Sequence, residues 1–210
     1  MVHSGQGSAR RPATPPPREQ IAGVVLAGGA GTRMGGADKG WVAWRGRPLV
    51  EHVVERLRPQ VGAVLISANR NLERYRALGC EVVEDDAAQF GAFPGPLAGI
   101  LSGLEAARAR WAAFVPCDAP CLPADLVARL AREGGGAPAV ARCGTRVQPV
   151  FCLLPASLAG ELRSAMQGGE RRPERFLASC GAVEVSFEDE TGFVNVNCPG
   201  QSDDEPRRGT

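Results

Sequence analysis

A glycine-rich stretch near the N-terminus combines residue types that bind phosphate. Residues 26–39 read LAGGAGTRMGGADK, with five glycines, and follow the apolar run IAGVV. Glycines allow positive φ angles and close approach, so that successive backbone N–H groups can point at phosphate oxygens. Arg33 could add a planar set of donors and Lys39 a compact positive charge. The pattern predicts a phosphate-binding loop, while a flexible turn with solvated charges is the plainer alternative.

The loop matches neither of the two common glycine fingerprints. A dinucleotide fingerprint beginning at Gly29 requires a glycine where Met34 stands. A Walker loop requires Gly-Lys-Ser/Thr, whereas this sequence has Asp38-Lys39-Gly40. Both motifs are therefore excluded, and the capacity to bind phosphate remains.

Polar residues follow three further apolar runs. Ser67 closes the run AVLIS, Asp85 follows the run EVV, and Asp118 follows AAFVP and stands between two prolines. Alone, Asp118 could cap the next segment and Asp85 could be an ordinary solvated turn residue. Facing a phosphate-binding loop, Asp118 would instead ligate Mg²⁺, which typically takes one or two carboxylates together with substrate phosphates.

The elements that must position these residues alternate between strands and helices. Apolar runs and helical periodicity predict strands at 23–26, 63–67, 81–83, 112–116, 137–141, 147–153, 183–187 and 193–196, and helices at 48–58, 96–110, 124–132 and 156–166. This alternation predicts an α/β fold of three layers, a mostly parallel twisted sheet with helices on both faces. Ligands of such sheets bind beyond the carboxyl ends of the strands, which is where the polar residues stand.

Length and charge limit the organisation and the partners. The chain has 210 residues and a formal net charge of +1, so no strong field favours nucleic acid or an acidic membrane surface. Its apolar stretches are far shorter than the ~20 residues that span a bilayer. Residues 1–20, rich in Pro, Arg, Ser and Gly, are expected to be a disordered leader, 21–199 one domain, and 200–210 a polar tail.

The cysteines favour a reducing compartment. Seven cysteines, an odd number, are scattered through the chain, and no signal-peptide apolar region precedes them. We therefore expect reduced thiols and a cytoplasmic location. Cys117 and Cys121 form a C-x3-C pair, but neither histidine has metal-ligand spacing to them, so free thiols are favoured over a zinc site.

The glycine-rich stretch resembles a family of nucleotidyltransferases, the molybdenum cofactor guanylyltransferases of the MobA type. The similarity begins at LAGGAGTRMGGADKG (26–40), and further pieces occur in the family's order: GRPL (46–49), ANR (68–70), FPGPLAG (93–99), PCDAP (116–120), GERR (169–172) and FVNVN (193–197). The resemblance covers about residues 21–199. Each piece alone is weak, whereas the ordered combination is specific.

The resemblance implies a Rossmann-like nucleotidyltransferase fold and a reaction. GMP would pass from Mg-GTP to the terminal phosphate of molybdenum-bound molybdopterin, with release of pyrophosphate. The resemblance also implies partners among the molybdopterin-inserting and molybdoenzyme-maturation proteins.

The resemblance assigns roles position by position. It implies Arg33, Lys39 and Asp118 as catalytic, with Asp118 also ligating Mg²⁺, and Arg172, Asn195 and Asn197 as residues on the molybdopterin side. The implied GTP-binding residues are Leu26, Ala27, Gly28, Gly29, Lys39, Ser67, Asp85 and Asp118.

These residue types suit the implied reaction. Attack of one phosphate on another brings two polyanions together, so positioning and charge neutralisation supply most of the catalysis. Related cytidylyltransferases carry LAAG where this chain has LAGG, and the missing Cβ at Gly28 leaves more room for a purine. GTP is therefore favoured over CTP.

Three positions depart from the family's pattern. Ser67 stands where many members have Asn, and Pro173 follows GERR where an apolar residue is usual, so that a helix is expected to start there. The usual Thr-Pro-Glu-Glu helix after VNVN is replaced by Cys198-Pro199-Gly200. Two alternatives stay open. One is another nucleotidyltransferase, a CTP-dependent molybdopterin cytidylyltransferase or a sugar-phosphate relative. The other is a non-catalytic module that binds nucleotide and delivers molybdopterin, which the altered C-terminus and Ser67 suggest.

Overall fold

The computed structural model describes residues 14–29, 38–91 and 95–196. Its strands are β1 (Ile21–Leu26), β2 (Ala43–Trp44), β3 (Arg47–Pro48), β4 (Ala63–Ser67), β5 (Glu81–Val83), β6 (Trp111–Pro116), β7 (Ala139–Cys143), β8 (Arg146–Pro155) and β9 (Val183–Phe187). Its helices are α1 (Leu49–Leu57), α2 (Leu72–Arg76), α3 (Ala87–Phe90), α4 (Pro96–Ala106), α5 (Leu126–Glu133), α6 (Ala159–Gln167) and α7 (Pro173–Ser179).

One mixed sheet organises the described residues. Its seven strands run in the order β5-β4-β1-β6-β8-β7-β9, and β2 and β3 form a separate hairpin. Pairing is parallel from β5 through β4 and β1 to β6 and again between β7 and β9. It is antiparallel where β8 inserts between β6 and β7. The prediction of a mostly parallel sheet is confirmed.

Helices bury both faces of the sheet. One apolar cluster joins side chains of α1, α2 and α5 to the sheet, and the other joins side chains of α4, α6 and α7 to its opposite face. Alternate residues of β1 divide accordingly, because successive strand side chains point to opposite faces: Val25 lies in the first cluster and Val24 in the second. The three-layer prediction is therefore confirmed.

Helix α4 lies close to the sheet because it carries glycines on its inner side. A Cβ on Gly103 would lie 2.8 Å from the Phe114 ring and 2.9 Å from a Val24 methyl group. Pro96 occupies the first turn of α4, where a missing N–H costs nothing. The chain leaves the helix at Ala106, four residues before the predicted end, because it must turn before Trp111 begins β6.

The predicted strand at 193–196 is wrong. The chain instead forms a 3₁₀ turn at Glu190–Phe193, which Asp189 caps by accepting a hydrogen bond from the Thr191 N–H. Phe193 packs edge-to-face against Phe151 and Phe187, so its side chain docks on the sheet's face and the backbone cannot join the sheet's edge.

The described residues begin at position 14, before the predicted start of the domain at residue 21. Arg18–Gln20 form a 3₁₀ turn, and a Cβ on Gly62 would lie 3.0 Å from the Glu19 backbone, so this turn packs closely on the segment before β4. Among the described residues, none of the helices has the length and apolar content that a bilayer crossing requires.

Two glycines in helices provide a matched test of this packing. Gly103→Ala should lower the free energy of unfolding by about 1–3 kcal/mol, because the added methyl overpacks the α4–sheet contact. Gly160→Ala in α6 meets nothing within 4 Å and should raise stability by about 0.5–1 kcal/mol. Urea denaturation measures both values. Equal effects of the two substitutions would contradict the close α4–sheet approach.

Candidate active site

Four parallel strands bring the predicted site residues to one edge of the sheet. Leu26 at the end of β1 pairs with Ser67 of β4 on one side and with Pro116 of β6 on the other. Ser67 in turn pairs with Val83 at the end of β5. The residues that follow these four strand ends therefore share one edge, as the sequence predicted.

The first three residues of the glycine-rich loop, 27–29, run from the core to the surface at this edge. Ala27 is buried, Gly28 half-buried and Gly29 exposed. The Arg70 guanidinium donates to the Gly29 carbonyl at 3.2 Å and so ties the β4 loop to the β1 loop. Arg33 lies outside the described residues, and its predicted role remains a prediction.

Lys39 and Asp118 meet although 79 positions separate them in the sequence. Lys39 Nζ lies 3.1 Å from Asp118 Oδ2, and the side chains are 28% and 7% exposed, respectively. Asp118 is a buried acidic residue two positions after β6, and its backbone carbonyl accepts a hydrogen bond from the Val196 N–H at 2.9 Å. The segment carrying the predicted Asn195 is thus tied to Asp118, whereas Asn197 lies outside the described residues.

Asp85 is held by three donor residues, two from the end of β4 and its loop and one from α4. Its Oδ2 accepts from Asn69 Nδ2 at 2.8 Å, and its Oδ1 lies 3.3 Å from Ser67 Oγ and 3.0 Å from Ser102 Oγ. The Asp85 N–H also donates to Asn69 Oδ1 at 2.9 Å, so Asn69 holds both the backbone and the side chain. This arrangement fixes the carboxylate beside the first loop.

The Ser102 hydroxyl has one proton and two acceptors within reach. It lies 2.8 Å from the Ala98 carbonyl one turn earlier in α4, as well as 3.0 Å from Asp85 Oδ1. Because the helix already supplies a backbone N–H to that carbonyl, the carboxylate is the acceptor that needs the proton. Ser102 therefore donates to Asp85.

Gly28 lies directly against this carboxylate. A Cβ at position 28 would be 3.0 Å from Asn69 Nδ2 and 3.2 Å from Asp85 Oδ2, which is tighter than ordinary contact. Ser67 is fully buried; its hydroxyl lies 3.3 Å from Asp85 Oδ1, and its carbonyl accepts from the Ala27 N–H at 2.7 Å. The hydroxyl that replaces the usual Asn side chain thus has a defined partner.

Arg172 lies directly before α7 and not at the strand ends described above. It is the N-cap residue of α7, and its N–H donates to Glu170 Oε1 at 2.9 Å. The neighbouring Arg171 carbonyl lies 3.9 Å from the Cβ position of Gly95, at the start of α4. The GERR loop therefore sits beside the start of α4. As predicted, Pro173 occupies the first turn of a helix.

The thiol next to Asp118 is not a nucleophile. Cys117 is buried, and burial raises the pKa of its thiol, with the Asp118 carboxylate adding to the effect. The group stays protonated, so it does not supply the thiolate that covalent catalysis needs. The site's chemistry rests on positive charge, carboxylates and backbone amides.

Several residues of the site were missed by the sequence analysis. Asn69 follows a strand on the same edge and belongs to the ANR motif, but it was assigned no role. Ser102 left no signal, because a serine inside a helix is common. Asp38 and Tyr75, which hydrogen-bond each other at 2.6 Å beside Lys39, depend on the short helix α2 that the sequence analysis did not predict.

A groove of about 600 Å³ lies along α1, away from these residues, and Arg47, Glu51, Glu55 and Arg58 contribute to its lining. Arg47 pairs with both glutamates, at 3.2 and 2.8 Å. Mutually paired surface charges make this a solvated side of the helix, so we assign the site to the strand edge.

A thermodynamic cycle tests the Lys39–Asp118 pair. Lys39→Met leaves the Asp118 carboxylate, only 7% exposed, without this partner and should lower the free energy of unfolding by about 1–3 kcal/mol. Asp118→Asn should cost less, because the 28% exposed Lys39 can turn towards water. In urea denaturation the double variant should recover part of the Lys39→Met loss. Strict additivity would contradict the pairing.

Comparison with known proteins agrees with this geometry. Residues 23–184 match the family model described as the MobA-like NTP transferase domain. A molybdenum cofactor guanylyltransferase of Cupriavidus pinatubonensis is 46% identical over 188 residues, covering 86% of this chain and 93% of the relative. A molybdenum cofactor guanylyltransferase of Burkholderia ambifaria is 48% identical over 193 residues, covering 86% and 93%.

A solved structure shares the fold. Molybdopterin-guanine dinucleotide biosynthesis protein A of Archaeoglobus fulgidus superposes with a TM-score of 0.67 at 23% identity, covering 85% of this chain and 93% of the other. The family match spans most of the sheet, including the ends of β1, β4, β5 and β6. The chain therefore belongs to the MobA-like NTP transferase family.

Proposed function

We propose that the protein transfers GMP from Mg-GTP to the terminal phosphate of molybdenum-bound molybdopterin and releases pyrophosphate. One observation carries the proposal: the Lys39 ammonium faces the buried Asp118 carboxylate at the edge where Gly28 and Asp85 stand. The relatives named molybdenum cofactor guanylyltransferase, at 46% and 48% identity over most of both chains, support this choice of nucleotide and acceptor.

Asp118 is suited to a divalent cation. It is a hard oxygen donor, 5% exposed, at the carboxyl end of a parallel strand, and Mg²⁺ is usually held by one or two carboxylates together with substrate phosphates. When bound there, Mg²⁺ would neutralise charge on the phosphate oxygens during transfer. The Lys39 ammonium pairs with the same carboxylate. We expect a bound triphosphate to attract the flexible Lys39 side chain, so that the Asp118 carboxylate can bind the cation instead.

The remaining groups bind and orient the nucleotide. Lys39 and Arg33 would hold the pyrophosphate leaving group, and the backbone amides of the first loop would hold the phosphates. Asp85 offers a fixed carboxylate beside Gly28, which suits the N–H donors of a guanine edge. Leu26, Ala27 and Gly29 would line the same pocket, with Ser67 acting through Asp85.

The acceptor would approach from the other side of Asp118. Asn195 precedes Val196, whose N–H is bonded to the Asp118 carbonyl, and we assign Asn195 to that side. For Asn197 the same role rests on the family resemblance alone. Arg172, on the loop beside the start of α4, would supply positive charge for the acceptor phosphate. A cytoplasmic location agrees with six free thiols among the described cysteines.

The defining assay supplies purified protein with Mg²⁺, molybdenum-loaded molybdopterin and either GTP or CTP, and measures released pyrophosphate. GTP should be strongly preferred. Preference for CTP would assign the chain to the cytidylyltransferases. GTP binding without pyrophosphate release would favour the non-catalytic delivery module.

Replacement of the proposed metal ligand, Asp118, gives a second test in the same assay. Asp118→Ala should lower turnover about 10²–10³-fold, on the scale seen when one preorganised electrostatic group is lost. Asp125→Ala provides the control, since Asp125 is an exposed aspartate before α5 whose side chain makes no capping bond. Retained activity of Asp118→Ala would remove Asp118 from the reaction.

Ser102 tests the role of Asp85 in nucleotide binding. Ser102→Ala should weaken GTP binding about fivefold, because one hydrogen bond to the carboxylate is lost. Ser164→Ala is the matched control: Ser164 Oγ lies 2.9 Å from the Gly160 carbonyl one turn earlier, as Ser102 Oγ lies 2.8 Å from that of Ala98. Calorimetric titration with GTP measures both affinities. If Ser102→Ala bound GTP as tightly as Ser164→Ala, the role of Ser102, and of Asp85 through it, would be contradicted.

A further inference from the structure

A second buried carboxylate stands next to Lys39 in the sequence. The Asp38 side chain is 5% exposed. Its Oδ1 accepts from the Tyr75 hydroxyl at 2.6 Å and from the Gly40 N–H at 3.2 Å. Its Oδ2 accepts from Asn71 Nδ2 at 2.9 Å and lies 4.0 Å from Arg70 Nε. Both oxygens are thus engaged by protein donors.

This saturation gives Asp38 a different role from Asp118. A carboxylate whose oxygens are bonded to fixed donors offers little to a cation, and its capping bond instead starts the 3₁₀ turn Lys39–Trp41. The turn carries Lys39 at its first position. Asp38 therefore fixes the backbone from which Lys39 extends.

Tyr75 is the partner that connects this turn to the core. Its side chain is fully buried in α2, and burial above all raises the pKa of its hydroxyl, so the group stays protonated and donates. A Cβ at position 40 would lie 2.5 Å from the Tyr75 oxygen, so only glycine permits this approach. The Trp41 ring packs on the Tyr75 ring at 5.0 Å, and Arg74 stacks on Trp41 at 4.0 Å.

Two sets of contacts act at the start of the turn: Tyr75 and Asn71 fix it to the α2 segment through Asp38, while the Lys39 side chain reaches Asp118, two residues after β6. A lysine has a long flexible stem, so the place of its charge depends on where its backbone is anchored. Loss of this anchor would displace the Lys39 ammonium, and a group that acts through its position is sensitive to small displacements.

We propose that Tyr75, acting through Asp38, is a positioning residue that sets the place of Lys39 for the nucleotide's triphosphate. The inference rests on the proposed function, because it assumes that Lys39 binds that triphosphate. It adds to that function a residue that contacts neither substrate nor metal and yet controls the affinity for the phosphate part of the nucleotide.

The experiment compares GTP with guanosine, which lacks the phosphates, by calorimetric titration of the full chain. Tyr75→Phe should weaken GTP binding about tenfold, the scale of a lost charge-assisted hydrogen bond, and leave guanosine binding unchanged within about twofold. In a Lys39→Ala background Tyr75→Phe should have no further effect on GTP. A purely structural role would weaken both ligands and would persist without Lys39.

A second variant guards against a folding defect. Asn71 has φ 53°, and Asn71→Gly keeps that conformation accessible while removing the donor to Asp38 Oδ2. It should weaken GTP selectively, about threefold. If Tyr75→Phe does not fold, this variant decides by the same comparison. Unchanged GTP affinity, or equal weakening of GTP and guanosine, overturns the inference, whereas failure of the unsubstituted protein to bind GTP refutes the proposed function itself.

Discussion

The parallel pairing of β5, β4, β1 and β6 is the constraint on which the site depends. Parallel strands place their carboxyl ends at one edge, and here the register aligns Leu26 with both Ser67 and Pro116. Residues far apart in the sequence, such as Lys39 and Asp118, can therefore meet. The helices on both faces bury this sheet, and the glycines of α4 set how closely that helix approaches it.

Three aspartates at this edge are distinguished by their partners. Asp38 and Asp85 accept hydrogen bonds from neutral or backbone donors, which fixes their oxygens in place, and Asp38 also lies 4.0 Å from the Arg70 guanidinium. Asp118 is paired with the flexible Lys39 ammonium, which could bind a polyphosphate ligand instead. A buried carboxylate must be paired or hydrogen-bonded, and the kind of partner decides whether it can be released to a ligand. On this contrast we propose anchoring for Asp38, orientation for Asp85 and cation binding for Asp118.

Much of the fold could be predicted from local patterns. Strands β4, β5 and β9 have the predicted bounds, because each is a short apolar or β-branched run ended by polar residues. The placing of Asp85 and Asp118 at one edge followed from the rule for parallel strands alone.

The remainder depended on tertiary packing. The segment at 193–196 is rich in Val and Phe, yet Phe193 docks on a sheet face and the backbone turns. Helix α2 has five residues, too few for a helical period to show, and Tyr75 on it reaches Asp38 only after folding. Ser102 meets Asp85 because of how α4 sits on the sheet, which no spacing in the sequence reveals.

The most direct test of the central claim is a crystal structure of the protein with GTP and Mn²⁺, the cation located by its anomalous signal. We expect the anomalous peak at the Asp118 carboxylate, the triphosphate next to Lys39 and the base beside Gly28 and Asp85. Nucleotide or cation bound elsewhere, for example in the groove along α1, with the strand edge empty, would contradict it.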